Sequence, residues 1–293
     1  MTVSMAGFTL SDAITKFLFD YMNMGELMLV RGIIATVLVA MLAWSRGAFD
    51  KPAALLHPLI ALRVFGEAAA TLTFFIGLAA MPLPNVSAIM QALPLAVTAG
   101  AAIVYAEPVG WRRWSAVAVG FLGVLLIVRP GTEGFSSASL WILACVFFCV
   151  VRDLATKRIP EDIPTLAIST LTAAAVTAIG AVMIIPLGGW RPIEPAHLGL
   201  IAIAAVLLLF GYQFIIMAMR RGDISFVAPF RYTALIWALF LGWLVFSVIP
   251  DRMTLTGSAI VVGSGLYMLW RERRRDNPIV AEATGPAMAP DGL

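Results

Sequence analysis

Apolar residues run along this chain in blocks of 14 to 27, separated by short polar or proline-bearing links. A helix rises ~1.5 Å per residue, so ~20 apolar residues cross a ~30 Å hydrocarbon layer. Ten such blocks are readable: 1–19, 25–43, 62–81, 86–105, 114–128, 138–151, 164–185, 197–219, 224–250 and 255–270. The block 224–250 organises the rest. It carries Pro229 and Arg231 near one end, where an anchoring helix would carry leucine. Proline removes a backbone N–H and loosens the local ladder, and a cation within a span is costly unless it faces protein or water. That combination points to an interior pathway.

Composition agrees. Of 293 residues 61% are hydrophobic and 13% charged, against about 25% charged in soluble domains. The fold class expected is an all-α integral membrane protein with ten transmembrane helices. The opening stretch lacks a basic n-region and an A-x-A site, and it holds Asp12 and Lys16, so it reads as a first span and not as a signal peptide.

Charge placement sets the orientation. Fourteen of the 20 Lys and Arg fall on one side, among them Arg46, Lys51, Arg63, Arg112 and Arg152. Three, Arg129, Arg191 and Arg252, fall on the other, and Lys16, Arg31 and Arg231 fall within helices. Positive loops stay inside, so both termini are expected on the cytoplasmic side. Ten spans satisfy that parity.

A weak internal repeat is visible. Val86-Ser87 matches Ile224-Ser225 at an offset of 138, and Gly123 and Arg129 match Gly265 and Arg271 at 142. Two halves of five helices must insert with opposite orientation, since five is odd, and inverted repeats place a site near the midplane between them. The expected units are 1–130, 138–271, and a tail at 272–293 that is basic and then rich in proline, glycine and alanine, read as disordered.

The order of these features is similar to that of the drug/metabolite transporter superfamily, with each half resembling an EamA-type domain. The residues carrying the resemblance are Leu10-Ser11-Asp12-Ala13 with Lys16, the stretch from Glu26 to Arg31, and Ala228-Pro229-Phe230-Arg231-Tyr232 with Gly242. The resemblance implies a ten-helix inner-membrane carrier that works by alternating access, with a central cavity lined chiefly by helices 1, 3, 4, 6, 8 and 9. Members with a Ser-Asp-Ala…Lys first helix resemble carriers of riboflavin or of S-adenosylmethionine, while others export amino acids and related metabolites. One departure stands out: Arg31 has no basic counterpart in the seventh helix.

Candidate substrate-binding residues are Asp12, Lys16, Gln91, Tyr212, Gln213, Arg231 and Tyr232, and candidate proton-coupling residues are Asp12 and Glu67. Each has a plainer reading beside it. Asp12 and Lys16, four apart on one helix face, either contact a polar ligand or neutralise each other. Arg63 and Glu67, also four apart, form an interfacial ion pair, or else Glu67 exchanges a proton. Gln91, Tyr212 and Gln213 read a ligand edge or hydrogen-bond between helices. Arg231 binds an anionic group or snorkels, and the structural reading is preferred for Arg31. Cys145 and Cys149 lie one helical turn apart and fit packing.

No H-E-x-x-H, G-x-S-x-G or Walker sequence is present, so an enzyme is not expected. With two histidines, both near proline-bearing loops, no metal and no cofactor are expected. The basic residues are accounted for by orientation, so nucleic acid is not an expected partner. The expected partners are a small-molecule substrate and the bilayer, with monomer and homodimer both open. A channel or a non-transporting scaffold is the reading from another class.

Overall fold

The computed structural model describes residues 1–49, 55–106, 109–130, 136–160, 163–221 and 227–273. The chain is all-helical, and its elements in order are α1 (Thr2–Leu18), α2 (Met24–Ser45), α3 (Pro58–Ala80), α4 (Leu83–Met90), α5 (Leu93–Val104), α6 (Trp111–Val128), α7 (Ala138–Lys157), α8 (Thr165–Met183) and α9 (Pro195–Arg221). A 3-10 turn (Ala228–Tyr232), α10 (Thr233–Phe246) and α11 (Arg252–Arg273) complete it. Nine spans among the described residues are long and apolar enough to cross a membrane, α4 and α5 counting as one. The 17-residue α1 brings the total to ten.

Local chemistry sets the ends. Asn23 caps α2, accepting from the Gly25 N–H at 2.7 Å while Glu26 accepts from the Asn23 N–H at 3.1 Å, a reciprocal box that satisfies two orphan donors. His57 caps α3 through Nδ1, with Pro58 at the first helical position, where a missing N–H costs nothing. The fourth span is expected as one helix over 86–105 but is broken at Gln91–Ala92. Pro94 has no N–H to give the Met90 carbonyl, so the ladder cannot pass through. In the ninth span Pro229 sits in the 3-10 turn that precedes α10. Both breaks fall near the start of the fourth span of their half.

The helices pair in a symmetric pattern. The most extensive contacts are α3 with α7, α2 with α8, α6 with α11 and α1 with α9, and α4 meets α10 over a smaller area. Counting spans, exchange of n with n + 5 turns α3–α7 into α9–α1 and leaves the other three pairs unchanged. A twofold pseudo-axis between two inverted halves produces this pattern. Glycines allow the close approaches on that axis: a Cβ on Gly123 would lie 2.8 Å from the Gly257 carbonyl oxygen, and one on Gly257 would lie 2.6 Å from that of Gly123. Gly25 and Gly180 play the same part for α2 and α8, where a Cβ would meet backbone at 2.6 Å and 2.7 Å.

Two expectations change. The sixth span does not stop at 151; α7 continues to Lys157 and takes Arg152 and Asp153 inside the fold, each at most 5% exposed. Arg63 is likewise buried within α3. Arg152 falls outside the sixth block because a charge after an apolar run resembles an ending, and Arg63 is expected at the interface; apolar neighbours and polar partners let the helices carry both inside. Lys51, the repeat-bearing Ile224-Ser225 and the tail beyond Arg273 lie outside the described residues.

Candidate functional site

A cavity of about 640 Å³ lies between α2, α3, α8 and α9. These are two pseudo-equivalent helix pairs, so the cavity sits on the axis between the halves. One end is reached past Arg46 and Gly47, both exposed, and past Pro164 and Thr165 at the start of α8. The other end is closed by Met28 and Phe75, which are 2% and 1% exposed, together with Arg31. The resemblance implies a lining from helices 1, 3, 4, 6, 8 and 9; this cavity is lined by the second, third, seventh and eighth spans, so it shares the third and the eighth. The first span is committed to packing: Ser4 and Ser11 donate to the Gly211 and Ala204 carbonyls of α9 at 2.6 and 2.9 Å, and Phe8 meets Tyr212 edge-on at 5.1 Å.

Polar groups on the wall come from separate helices. Arg31 Nη1 donates to Thr15 Oγ1 at 3.0 Å, and its guanidinium lies 5.0 Å from the Phe75 ring centre. Arg63 Nη1 donates to Thr172 Oγ1 at 2.6 Å. Glu67 accepts from Arg152 Nη1 at 3.0 Å, and Arg152 Nε donates to Asp153 Oδ1 at 2.7 Å. The expected Arg63–Glu67 pair is therefore replaced by Glu67–Arg152, a tie between α3 and α7. Adjacent turns of one helix offer a neighbour, whereas a facing helix here offers a guanidinium of better geometry. Among the described residues Asp153 Oδ2 has no hydrogen-bond partner.

Of the residues expected to bind substrate, Tyr212 and Gln213 line this cavity, as does Glu67 of the coupling pair. The others lie elsewhere. Asp12 and Lys16 are not each other's partners: Asp12 is within electrostatic reach of Arg31, while Lys16 Nζ donates to the Leu78 and Met81 carbonyls, both at 2.8 Å. Lys16 thereby fastens the end of α1 to the end of α3. Gln91 is buried at the α4 break. Arg231 is within electrostatic reach of Asp153, and the ring of Tyr232 fills the space beside Gly265. Sequence reasoning missed Arg152, Asp153, Thr15 and Thr172. The signal for the first two was the Leu154-Ala155 pair that continues the helical stripe beyond them.

The closed end has its own fastening. Asn23 Nδ2 donates to the Ile184 and Gly189 carbonyls at 3.0 and 3.1 Å, and the Arg191 N–H is bonded to Glu26 Oε1. Glu26 is fully buried. The α1–α2 turn is thus tied to the α8–α9 loop across the pseudo-axis. The arrangement is a chamber accessible from one side, with polar groups along it and a seal of breakable hydrogen bonds beyond.

The EamA-like transporter family profile matches residues 1–129 and 136–270, once for each half. The riboflavin transporter of Rhizobium johnstonii is 29% identical over 206 residues, which is 68% of this chain and 66% of that protein, just under two thirds of its length. The S-adenosylmethionine uptake transporter of Rickettsia conorii is 23% identical over 280 residues, covering 94% of this chain and 92% of that one. A crystal structure that is 18% identical covers 94% of this chain and 99% of its own with a TM-score of 0.59, a likeness of fold.

Proposed function

Because the chain belongs to the EamA-like transporter family, we propose that it is a secondary-active carrier of a small metabolite that works by alternating access, with riboflavin uptake as its activity. The observation that carries this reading is the one-sided cavity on the pseudo-axis, about 640 Å³ in volume. A chamber between inverted halves changes sides when one half rocks against the other. The seal at Asn23 and Glu26 is built from hydrogen bonds across that axis, which such a motion breaks and remakes.

Tyr212 and Gln213 contact the substrate from α9, and Glu67 exchanges the coupling proton as Arg152 releases it. Asp12 acts through Arg31. Lys16, Gln91, Arg231 and Tyr232 belong to the packing that shifts when the cavity changes sides. The carrier sits in a bacterial inner membrane with both termini cytoplasmic, a reading supported by the excess of basic residues on that side. A second reading is uptake of S-adenosylmethionine, favoured by the relative in Rickettsia conorii, whose match spans nearly the whole chain. Carriage of amino acids, in either direction, and a channel or scaffold are the remaining readings.

Counterflow in proteoliposomes tests the proposal. Vesicles loaded with unlabelled riboflavin should accumulate labelled riboflavin saturably, with S-adenosylmethionine and amino-acid mixtures run in parallel. Exchange of another compound alone keeps the carrier and discards riboflavin. Ionic conductance without saturable exchange replaces the carrier with a channel.

A further inference from the structure

The closed end of the cavity is lopsided in charge. Arg31 lies on its wall, and among the described residues its hydrogen-bond partner is Thr15. A guanidinium has five N–H donors in a fixed planar fork. One is committed to Thr15, which holds the plane in place and leaves the rest of the fork for the cavity. Asp12 attracts it from α1 without lining the chamber, so the guanidinium is oriented while its charge stays available. Phe75 presents a flat apolar ring beside it. Arg63 adds a second cation to the wall, and Arg46 a third at the mouth. The one carboxylate among the lining residues is Glu67, already held by Arg152. A cation entering this chamber meets unbalanced like charge, whereas an acceptor meets oriented donors.

We infer that Arg31 is the specificity-determining residue of the cavity, and that its substrate is a flat, neutral or anionic ring with paired hydrogen-bond acceptors along one edge. This rests on the carrier reading above and narrows it. A flavin ring offers two adjacent acceptor pairs of this kind, the C2 carbonyl oxygen with N1 and the C4 carbonyl oxygen with N5. S-adenosylmethionine does not, since its sulfonium and ammonium outweigh its carboxylate. Arg31 also marks the asymmetry between the halves: on α8 the cavity is lined by the hydroxyls of Ser169 and Thr172, so the second half offers hydroxyls where the first offers a cation.

The test uses full-length protein in two formats. In proteoliposome counterflow the wild type should take riboflavin with a half-saturation at least about tenfold lower than that for S-adenosylmethionine. R31Q should raise the riboflavin half-saturation about tenfold or more, a loss of about 1.4 kcal/mol. R31K, which keeps the charge but not the fork, should fall between, and it serves if R31Q does not insert. Preference of the wild type for S-adenosylmethionine overturns the inference, as does an unchanged riboflavin half-saturation in R31Q. Equilibrium binding of riboflavin to detergent-purified wild type and variants runs alongside. If the wild type exchanges neither probe, the riboflavin-uptake reading falls by itself. Riboflavin binding that weakens in R31Q then upholds the assignment, and binding that is absent or unchanged in R31Q overturns it.

Discussion

Glu67 faces the cavity from α3 while Arg152, on α7, holds its carboxylate at 3.0 Å and spends its Nε on Asp153. One guanidinium therefore balances two acids, and its side chain is 6% exposed. Breaking a buried pair by removing one partner costs about 3–5 kcal/mol, because the other charge is left uncompensated. R152Q strands two acids and E67Q strands none, so R152Q should lower the melting temperature in detergent by far more. Adding D153N to R152Q should recover part of the loss. Equal effects of R152Q and E67Q would argue against this network.

The same geometry separates exchange from accumulation. If Glu67 is the proton carrier, E67Q should retain counterflow, which needs no net proton movement, and lose accumulation driven by an imposed pH gradient. Both assays use the same vesicles. An E67Q protein that accumulates substrate like the wild type removes Glu67 from coupling.

The seal at the closed end gives a conformational prediction. Replacing Glu26 by Gln weakens the acceptor for the Arg191 N–H, and replacing Asn23 by Ala removes the cap and both bonds to the α8–α9 loop. Loss of a cap alone costs about 1 kcal/mol, and each 1.4 kcal/mol shifts a two-state balance about tenfold. A cysteine at Thr71 on the cavity wall should therefore react faster from the side of Gly189 in N23A than in the parent. The reaction from the Arg46 side should slow. No change in either rate would mean that the seal lies elsewhere.

Close helix contact predicts a graded response to single methyl groups. G25A and G180A put a Cβ against backbone atoms that cannot swing aside. Overpacking of this kind costs about 1–3 kcal/mol. G199A and G263A, where no atom lies within 4 Å, should be neutral or stabilising by up to about 1 kcal/mol, since alanine is the better helix former. Thermal unfolding of the four variants orders them.

Much of the fold was legible because lipid imposes a simple code. Ten apolar blocks, odd halves and a skewed charge distribution follow from the length and polarity of segments alone. The cavity was less legible because its wall depends on which helices meet. Asp12 and Lys16 share a helix face by spacing, but spacing says nothing of Leu78, Met81 or Arg31, which decide where each side chain goes. Arg152 was misplaced for the opposite reason. A charge pair read as a loop is, across the α3–α7 contact, a satisfied interior pair, and only the partner from another segment reveals it. Tyr212 and Gln213 were recoverable as polar positions inside a long apolar helix.

Outside the spans, Arg129 at the end of α6 pairs with Asp251, which precedes α11 and accepts from the Thr254 N–H at 2.8 Å. The Arg129 hydrogen bond, with help from Thr254, draws the Asp251 carboxyl down to about 2 from an ordinary 3.8. A carboxylate whose folded pKa lies below its unfolded value stabilises the fold fully above the unfolded value, and that contribution fades as pH falls through the folded one. Stability should therefore decline between about pH 4 and pH 2 from this site. Asp251 is 54% exposed, so solvent and salt screening keep the contribution small. D251N should be less stable than the wild type at pH 6 and converge with it near pH 2, a difference that shrinks in high salt. Melting curves of both proteins at pH 2, 3, 4 and 6 would show the convergence; parallel curves at all four would assign no stabilising role to the ion pair.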